Sequence, residues 1–301
     1  MNRIRHKRWE DITLDTVIYL SLIFLIIVTL YPFLNTVAVS FNDAMDSSRG
    51  GIGLWPRKFT LYNYQTLLTR SQMYHASLVS MARTVLSTVL GTFSTAMVAY
   101  IISRKEFVLR RFVSFIYVLT MYIDGGLVPT YFLMRSLGLT NSFWVYVIPG
   151  LVSAFNLIVI RTYISGLSDS YVESARIDGA GEFTIFLRII LPLCKPVLAS
   201  IALFIAVDNW NAWFDTFLYN SANAQLSTLQ YELMKVLQSA NTMSGSLLQA
   251  LSRAAAGTTN TVTPRAIRAT MTVIVSVPIV IVYPFLQKYF VHGLTLGGIK
   301  E

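Results

Sequence analysis

Four polar side chains lie within one apolar stretch of the sequence, at a spacing that would place them on one face of a helix. Asp208, Asn211, Asp215 and Tyr219 follow one another at intervals of three, four and four residues. Trp213 and neighbouring aromatic residues occupy much of the remaining surface. Because carboxylates and amides hydrogen-bond hydroxyl groups and aromatic rings stack on sugar rings, this segment suits a carbohydrate path. Hydrogen bonding between helices, with an interfacial aromatic belt, is the alternative interpretation.

Two other apolar stretches carry polar residues of the same kind. Arg83 lies among small and hydroxyl-bearing residues, and Asp124 precedes Gly125 and Gly126, which indicate a helix break. Polar groups inside membrane spans are costly and usually face a cavity or a partner. We therefore predict that a translocation pathway is lined by Arg83, Asp124, Asp208, Asn211, Trp213, Asp215 and Tyr219.

The sequence lacks three common catalytic motifs. A Gly-x-x-x-x-Gly-Lys-Ser/Thr phosphate loop, a His-Glu-x-x-His pair and a Gly-x-Ser-x-Gly turn are all absent, and there are only three histidines. We predict no catalytic residue, no metal site and no cofactor bound by this chain. A membrane-embedded glycosyl- or acyltransferase is the main alternative, although it would need clustered catalytic carboxylates or histidines. A passive channel is a third possibility.

The composition predicts a membrane protein. Apolar residues make up 54% of the chain, charged residues only 13%, and the mean hydropathy is +0.56. The net charge of +9 comes from basic residues between apolar stretches, so it points to membrane topology and not to a nucleic-acid partner.

Six apolar stretches are long enough to cross the bilayer as helices. We predict an all-α membrane protein with a single domain, 1–301, whose transmembrane helices cover about 15–40, 76–103, 111–135, 142–163, 196–220 and 266–290. Basic residues concentrate in the N-terminal segment and in the second and fourth connections, which places both termini in the cytoplasm. Loop 164–195 is then cytoplasmic, and loop 221–265 lies on the outer side.

The loop at 164–195 has a distinctive pattern. Residues 173–180 read Glu-Ser-Ala-Arg-Ile-Asp-Gly-Ala, and residues 189–192 read Ile-Ile-Leu-Pro. Residues 173–177 favour a helix, Gly179 permits a turn, 182–190 favour a second helix, and Pro192 is expected to end it. The sequence therefore predicts a rigid elbow of two short helices.

This spacing resembles the EAA loop of bacterial ABC-importer permeases, with Ser174 where the family usually has alanine. The resemblance implies a type I importer permease architecture with six transmembrane helices. It also implies that the loop contacts a separate ATPase dimer, which binds ATP and Mg, through Glu173, Ser174, Ala175, Asp178, Gly179, Ile189, Leu191 and Pro192. In such permeases the tail, here Gly297, Gly298, Ile299 and Lys300, enters the ATPase interface.

Other segments are similar to the carbohydrate-uptake branch of that family, and to its MalG-like second subunit. They include Phe-Thr-Leu-x-Asn-Tyr at 59–64 and the tail Gly-Leu-Thr-Leu-Gly-Gly-Ile-Lys at 293–300. Gly-Gly-x-x-Pro-Thr-Tyr at 125–131 and Tyr-Pro-Phe-Leu-Gln-Lys-Tyr-Phe at 283–290 narrow the resemblance further. The resemblance extends to the subgroup for complex oligo- and polysaccharides, which includes the second permease of alginate importers. It implies import by alternating access of a saccharide, acidic polymers such as alginate or galacturonan being one option. The implied partners are a sister permease (forming a heterodimer), the ATPase dimer, an extracytoplasmic solute-binding protein and the lipid bilayer of the bacterial inner membrane.

Overall fold

The structure, a computed structural model, describes residues 9–69, 71–242 and 262–295. Apart from one isolated bridge between Asn42 and Phe59, its regular secondary structure in these ranges is helical. The α-helices are α1 Trp9–Ser40, α2 Ala44–Ser48, α3 Tyr62–Leu68, α4 Ser71–Ser103, α5 Arg110–Leu119, α6 Leu127–Ser136, α7 Ala154–Ser165, α8 Ser170–Ile177, α9 Glu182–Ile185, α10 Leu191–Leu193, α11 Lys195–Asn211, α12 Phe214–Asn220, α13 Leu229–Thr242 and α14 Pro264–Thr295. Short 3-10 helices cover Phe143–Tyr146, Ile148–Gly150 and Ala224–Leu226, and a π-helical turn, Phe186–Ile190, joins α9 to α10.

Several helices are long and apolar enough to cross a membrane. Three single helices meet these criteria of length and composition, namely Thr13–Ser40, Ser71–Ser103 and Pro264–Val282. Two bent pairs also qualify if each counts as one span: Phe143–Gly150 with Ala154–Ser165, and Glu182–Leu193 with Lys195–Asn211. The described part of the chain thus holds between three and five candidate spans, and the prediction of an all-α membrane protein is confirmed at this level.

The predicted third span, 111–135, is not one helix. It divides into α5 and α6, each 10 residues or about 15 Å long, which is too short to cross the hydrocarbon alone. Between them the Asp124 carboxylate accepts the backbone N–H of Gly126 at 3.2 Å, and Gly126 has a φ of 83°. The helix break predicted at Asp124–Gly126 is therefore present, but the continuous span around it is wrong.

The predicted fifth span, 196–220, is broken as well. α11 ends at Asn211, Ala212 is extended with a ψ of 129°, and α12 begins at Phe214. The prediction that Asp208, Asn211, Asp215 and Tyr219 form one stripe on one helix is consequently wrong.

The chain forms two compact units, one comprising Met1–Thr69 with Val236–Ile274, and the other Arg70–Lys235 with Val275–Glu301. In the first unit, the buried amide of Asn63 donates hydrogen bonds to the carbonyls of Ser40 and Asn42, at 3.0 and 2.9 Å. These bonds fasten the start of α3 to the end of α1, so the asparagine of the 59–64 motif has a structural role.

In the second unit, α4 packs against α7 and α11. Their buried side chains form one apolar core together with those of loop 164–195, and its members include Ala99, Ile160, Ile164, Ile201, Ile185 and Phe186. The elbow is therefore built into the core of this unit.

Candidate functional site

The elbow predicted at 173–192 is present and is closed by a glycine turn. α8 ends at Ile177, and Gly179 adopts a φ of +80°. The N–H of Gly179 donates to the carbonyl of Arg176 at 3.0 Å, and the N–H of Ala180 donates to that of Ala175 at 2.9 Å. This pair of bonds is a Schellman motif, which requires a left-handed residue where Gly179 stands. The turn therefore fixes the direction in which α9 leaves α8.

Two faces of the elbow differ in exposure. Ala175 and Val172 are buried in the apolar core, and Ile189 and Leu191 are half-buried and pack against it. Glu173, Ser174, Asp178, Gly179 and Pro192 are exposed. The predicted coupling residues thus separate into an inner set that anchors the elbow and an outer set that a partner can reach.

The second helix of the elbow passes through a wide turn before it ends. A proline lacks the N–H that would bond the carbonyl four residues earlier, and its ring crowds that carbonyl. The π-helical turn Phe186–Ile190 precedes Pro192, and the N–H of Leu191 donates to the carbonyl of Phe186. The helix ends at Leu193, one residue beyond the predicted end.

A charged cluster, hereafter the Arg176 cluster, holds the elbow to its neighbours. The Arg176 guanidinium contacts Glu106 at 2.7 Å and Glu182 at 2.8 Å, and the Tyr100 hydroxyl donates to Glu182 at 2.6 Å. The hydrogen bond from Arg176 lowers the pKa of Glu106 below its ordinary value, because it favours the charged carboxylate. The cluster joins α8, α9, α4 and the loop before α5.

This cluster was not predicted from the sequence. Two of its contacts join distant parts of the chain, since Glu106 and Arg176 are 70 positions apart and Tyr100 and Glu182 are 82 apart. Lys105 and Asp169 make a further bridge of 2.9 Å beside it, and the hydrogen bond from Lys105 lowers the pKa of Asp169. Lys105 therefore ties the second connection to the residue that precedes α8.

Among the predicted pathway residues, the structure brings Arg83 and Asp215 together as an ion pair. The Arg83 side chain is buried, with 3% exposed, and its guanidinium lies 4.6 Å from the centre of the Tyr146 ring. Asn209 also contacts it. The sequence did not predict that Tyr146 and Asn209 belong to this site, although Asn209 adjoins Asp208, which was predicted.

The remaining predicted pathway residues are spread out. Asp124, Asp208 and Asn211 are exposed, while Trp213 is half-buried and lies beside two phenylalanine rings. Tyr219 stacks on Tyr131 with ring centres 6.0 Å apart. The predicted tail contact, Gly297 to Lys300, lies outside the described residues. Within the described ranges no three His, Cys, Asp or Glu side chains are grouped as metal ligands would be.

Comparisons with known proteins identify the family. Residues 87–295 match the family model described as "Binding-protein-dependent transport system inner membrane component". The polygalacturonan/rhamnogalacturonan transport system permease protein YtcP of Bacillus subtilis (strain 168) is 32% identical over 95% of this chain and 98% of its own length. Protein LplC of the same organism is 34% identical over 91% of this chain and 90% of its own.

A solved structure agrees with these relatives. A chain from the crystal structure of a bacterial ABC transporter involved in the import of the acidic polysaccharide alginate has a TM-score of 0.82 and 28% identity, covering 94% of this chain and 99% of that one. The resemblance to carbohydrate-importer permeases noted from the sequence is thereby confirmed. The chain belongs to the family of binding-protein-dependent inner-membrane transport components and is a multi-pass permease subunit of an ABC transporter, not itself an enzyme.

Proposed function

We propose that this permease imports an oligo- or polysaccharide by alternating access, and that ATP binding by a partner ATPase dimer moves the elbow at 173–192. The observation that carries the proposal is the elbow itself. Its inner face is fixed in the core of the second unit, while Glu173, Ser174 and Asp178 are exposed on its outer face. A rigid element of this kind can transmit a displacement to α4 and α11, because packed cores move as units and do not deform smoothly.

The proposed complex has several parts. This chain forms a heterodimer with a sister permease, the ATPase dimer binds ATP and Mg on the cytoplasmic side, and an extracytoplasmic solute-binding protein delivers the saccharide. Six transmembrane helices with cytoplasmic termini complete the proposed topology, the broken segments each counting as one span. The similar alginate importer and YtcP, whose name refers to polygalacturonan and rhamnogalacturonan, support a saccharide substrate.

An acidic saccharide is our proposed substrate class. The similar solved structure belongs to an importer of alginate, which is an acidic polysaccharide, and polygalacturonan consists of uronate units. Asp215 would repel such a polymer if it were unpaired, but the Arg83 guanidinium neutralises it. For the same reason Arg83 itself is not free to attract a uronate. The charge balance of this pair therefore removes an obstacle to acidic substrates without selecting for them.

Uptake by proteoliposomes tests the proposal. This chain would be co-purified with its sister permease and ATPase and supplied with the binding protein. We expect ATP-dependent uptake of a labelled oligogalacturonide, exceeding that of a malto-oligosaccharide of equal length. Uptake of the neutral oligomer alone would overturn the acidic assignment, and ATP-independent equilibration of both would favour a passive channel.

The topology gives a separate prediction. Ser136 and Ser174 are both exposed serines in the second unit, and we expect them on opposite sides of the membrane. In a Cys194→Ser background, Ser136→Cys should react with a membrane-impermeant maleimide in right-side-out spheroplasts, whereas Ser174→Cys should react only after permeabilisation. Labelling of Ser174→Cys in sealed spheroplasts would show that the orientation is wrong.

A further inference from the structure

The break between α11 and α12 is contacted on both sides by one distant side chain. The segment between Asn211 and Phe214 contains neither glycine nor proline. Ala212 is extended and Trp213 has a φ of −127°, so the backbone leaves the helical path at these two residues. A helix end in an apolar environment leaves carbonyl groups without donors, which is costly unless other groups supply them.

Arg83 of α4 supplies such donors. Its Nη1 atom donates to the carbonyl of Ala212 at 3.2 Å, in the break itself. Its Nη1 and Nη2 atoms both donate to the carboxylate of Asp215 in the first turn of α12. Its Nε atom points to the side-chain oxygen of Asn209 in the last turn of α11, at 3.5 Å. A single guanidinium thus contacts the helix before the break, the break and the helix after it.

The shape of the guanidinium group matters for this arrangement. Arginine presents five N–H donors in a planar fork, whereas a lysine ammonium offers donors at a single point. The plane of the fork is further held by the Tyr146 ring, whose hydroxyl donates to the carbonyl of Leu226 at 2.7 Å. Lysine could keep the charge pair with Asp215 but could not serve all three positions.

The break determines where a group of aromatic rings lies. Trp213, Phe214 and Phe217 are mutually in contact, with ring centres 5.7 to 6.4 Å apart, and Phe217 also contacts Tyr231. Phe214 and Phe217 remain 44% and 49% exposed. If α11 continued through Ala212 without interruption, these rings would be rotated and shifted relative to α4.

We propose that Arg83 is a positioning residue, which clamps the helix break at Ala212–Trp213 and so holds the aromatic rings that follow it. A buried ion pair contributes little net stability, because the loss of hydration offsets the attraction between the charges. The Arg83–Asp215 pair instead fixes the backbone geometry at the break. The importance of that geometry for transport rests on the proposed function, whereas the clamp itself does not.

The test compares the double variant Arg83→Met/Asp215→Asn with Arg83→Lys in the complete importer. The double variant removes both charges, so neither is left unpaired, and we expect it to fold and assemble with a modestly lower melting temperature, because the Ala212 carbonyl loses its donor. We expect the maximal rate of oligogalacturonide uptake to fall about tenfold, while the half-saturating concentration of loaded binding protein stays unchanged. Arg83→Lys should lose nearly as much rate. Wild-type uptake by either variant would overturn the proposal.

A labelling measurement on the same proteins separates the clamp from the transport assignment. In a Cys194→Ser background, the rate at which Phe214→Cys reacts with a small thiol reagent should change several-fold when the clamp is removed by the double substitution. Arg57→Met/Asp46→Asn, which removes both charges of the 3.0 Å pair in the first unit, is the control and should leave the labelling rate unchanged. Equal labelling rates with and without the clamp would refute the clamp. This result does not depend on which substrate the importer carries.

Discussion

Replacement of Gly179 by valine is expected to abolish substrate-stimulated ATP hydrolysis by the assembled importer while the membrane helices still fold. Gly179 has a φ of +80°, which costs an L-residue roughly 1–2 kcal/mol and a β-branched residue more. A Cβ at this position would meet no atom within 4 Å, so the strain is confined to the backbone. Valine can relieve it only by reopening the Schellman turn, which changes the direction of α9 relative to α8.

Gly181 provides the matched control. It also has no atom within 4 Å of an added Cβ, but its φ is −70°, which valine adopts readily. Gly181→Val should therefore lose the preference for glycine over valine at the N-cap of α9 but keep the direction in which α9 leaves α8. ATPase activity is measured in proteoliposomes with and without loaded binding protein. Equal stimulation in the Gly179→Val and wild-type complexes would contradict a coupling role for the turn.

Replacement of Phe186 by alanine should lower the free energy of unfolding more than any other substitution named above. The side chain is 2% exposed and its ring contacts Phe93 and Tyr100, with ring centres 5.8 and 5.6 Å apart. Removal of such a ring from a packed core costs about 3–5 kcal/mol, since both buried apolar area and close contacts are lost. The residue lies in the π-helical turn of the elbow, so the cavity forms where the elbow joins the core.

Thermal unfolding of the detergent-purified importer measures this loss. The Phe183 ring contacts the Phe186 ring, with centres 6.4 Å apart, but Phe183 is 61% exposed. Phe183→Ala therefore serves as the control. We expect a clearly lower unfolding temperature for Phe186→Ala and a shift several times smaller for Phe183→Ala. A larger shift for Phe183→Ala would mean that the elbow is not anchored in the core as the structure has it.

The sequence predicted the elbow well because its determinants are local. Gly179 follows a helix-forming segment directly, and the Schellman bonds join residues no more than five positions apart. The inner and outer faces follow from the same helical periodicity. The break at Asp124–Gly126 was predictable for the same reason, since two consecutive glycines and a short polar side chain favour a turn over a helix.

The break at Ala212 was not predictable, and the prediction of a single polar stripe failed there. Neither glycine nor proline marks the break between Asn211 and Phe214, and the groups that satisfy the interrupted backbone come from Arg83, 129 positions earlier. The Arg176 cluster was missed for a similar reason, because Tyr100 and Glu106 meet α8 and α9 only in the folded chain. Ion pairs between distant segments leave no periodic pattern in a sequence.

Photo-crosslinking from the exposed face of the elbow tests the central claim most directly. In a Cys194→Ser background, a benzophenone maleimide would be attached at Ser174→Cys in the assembled importer, with Ser136→Cys as the control position. We predict an adduct between this chain and the ATPase from Ser174→Cys, and none from Ser136→Cys. Failure of Ser174→Cys to form the adduct, with efficient formation from Ser136→Cys, would contradict the assignment of the elbow as the contact with the ATPase.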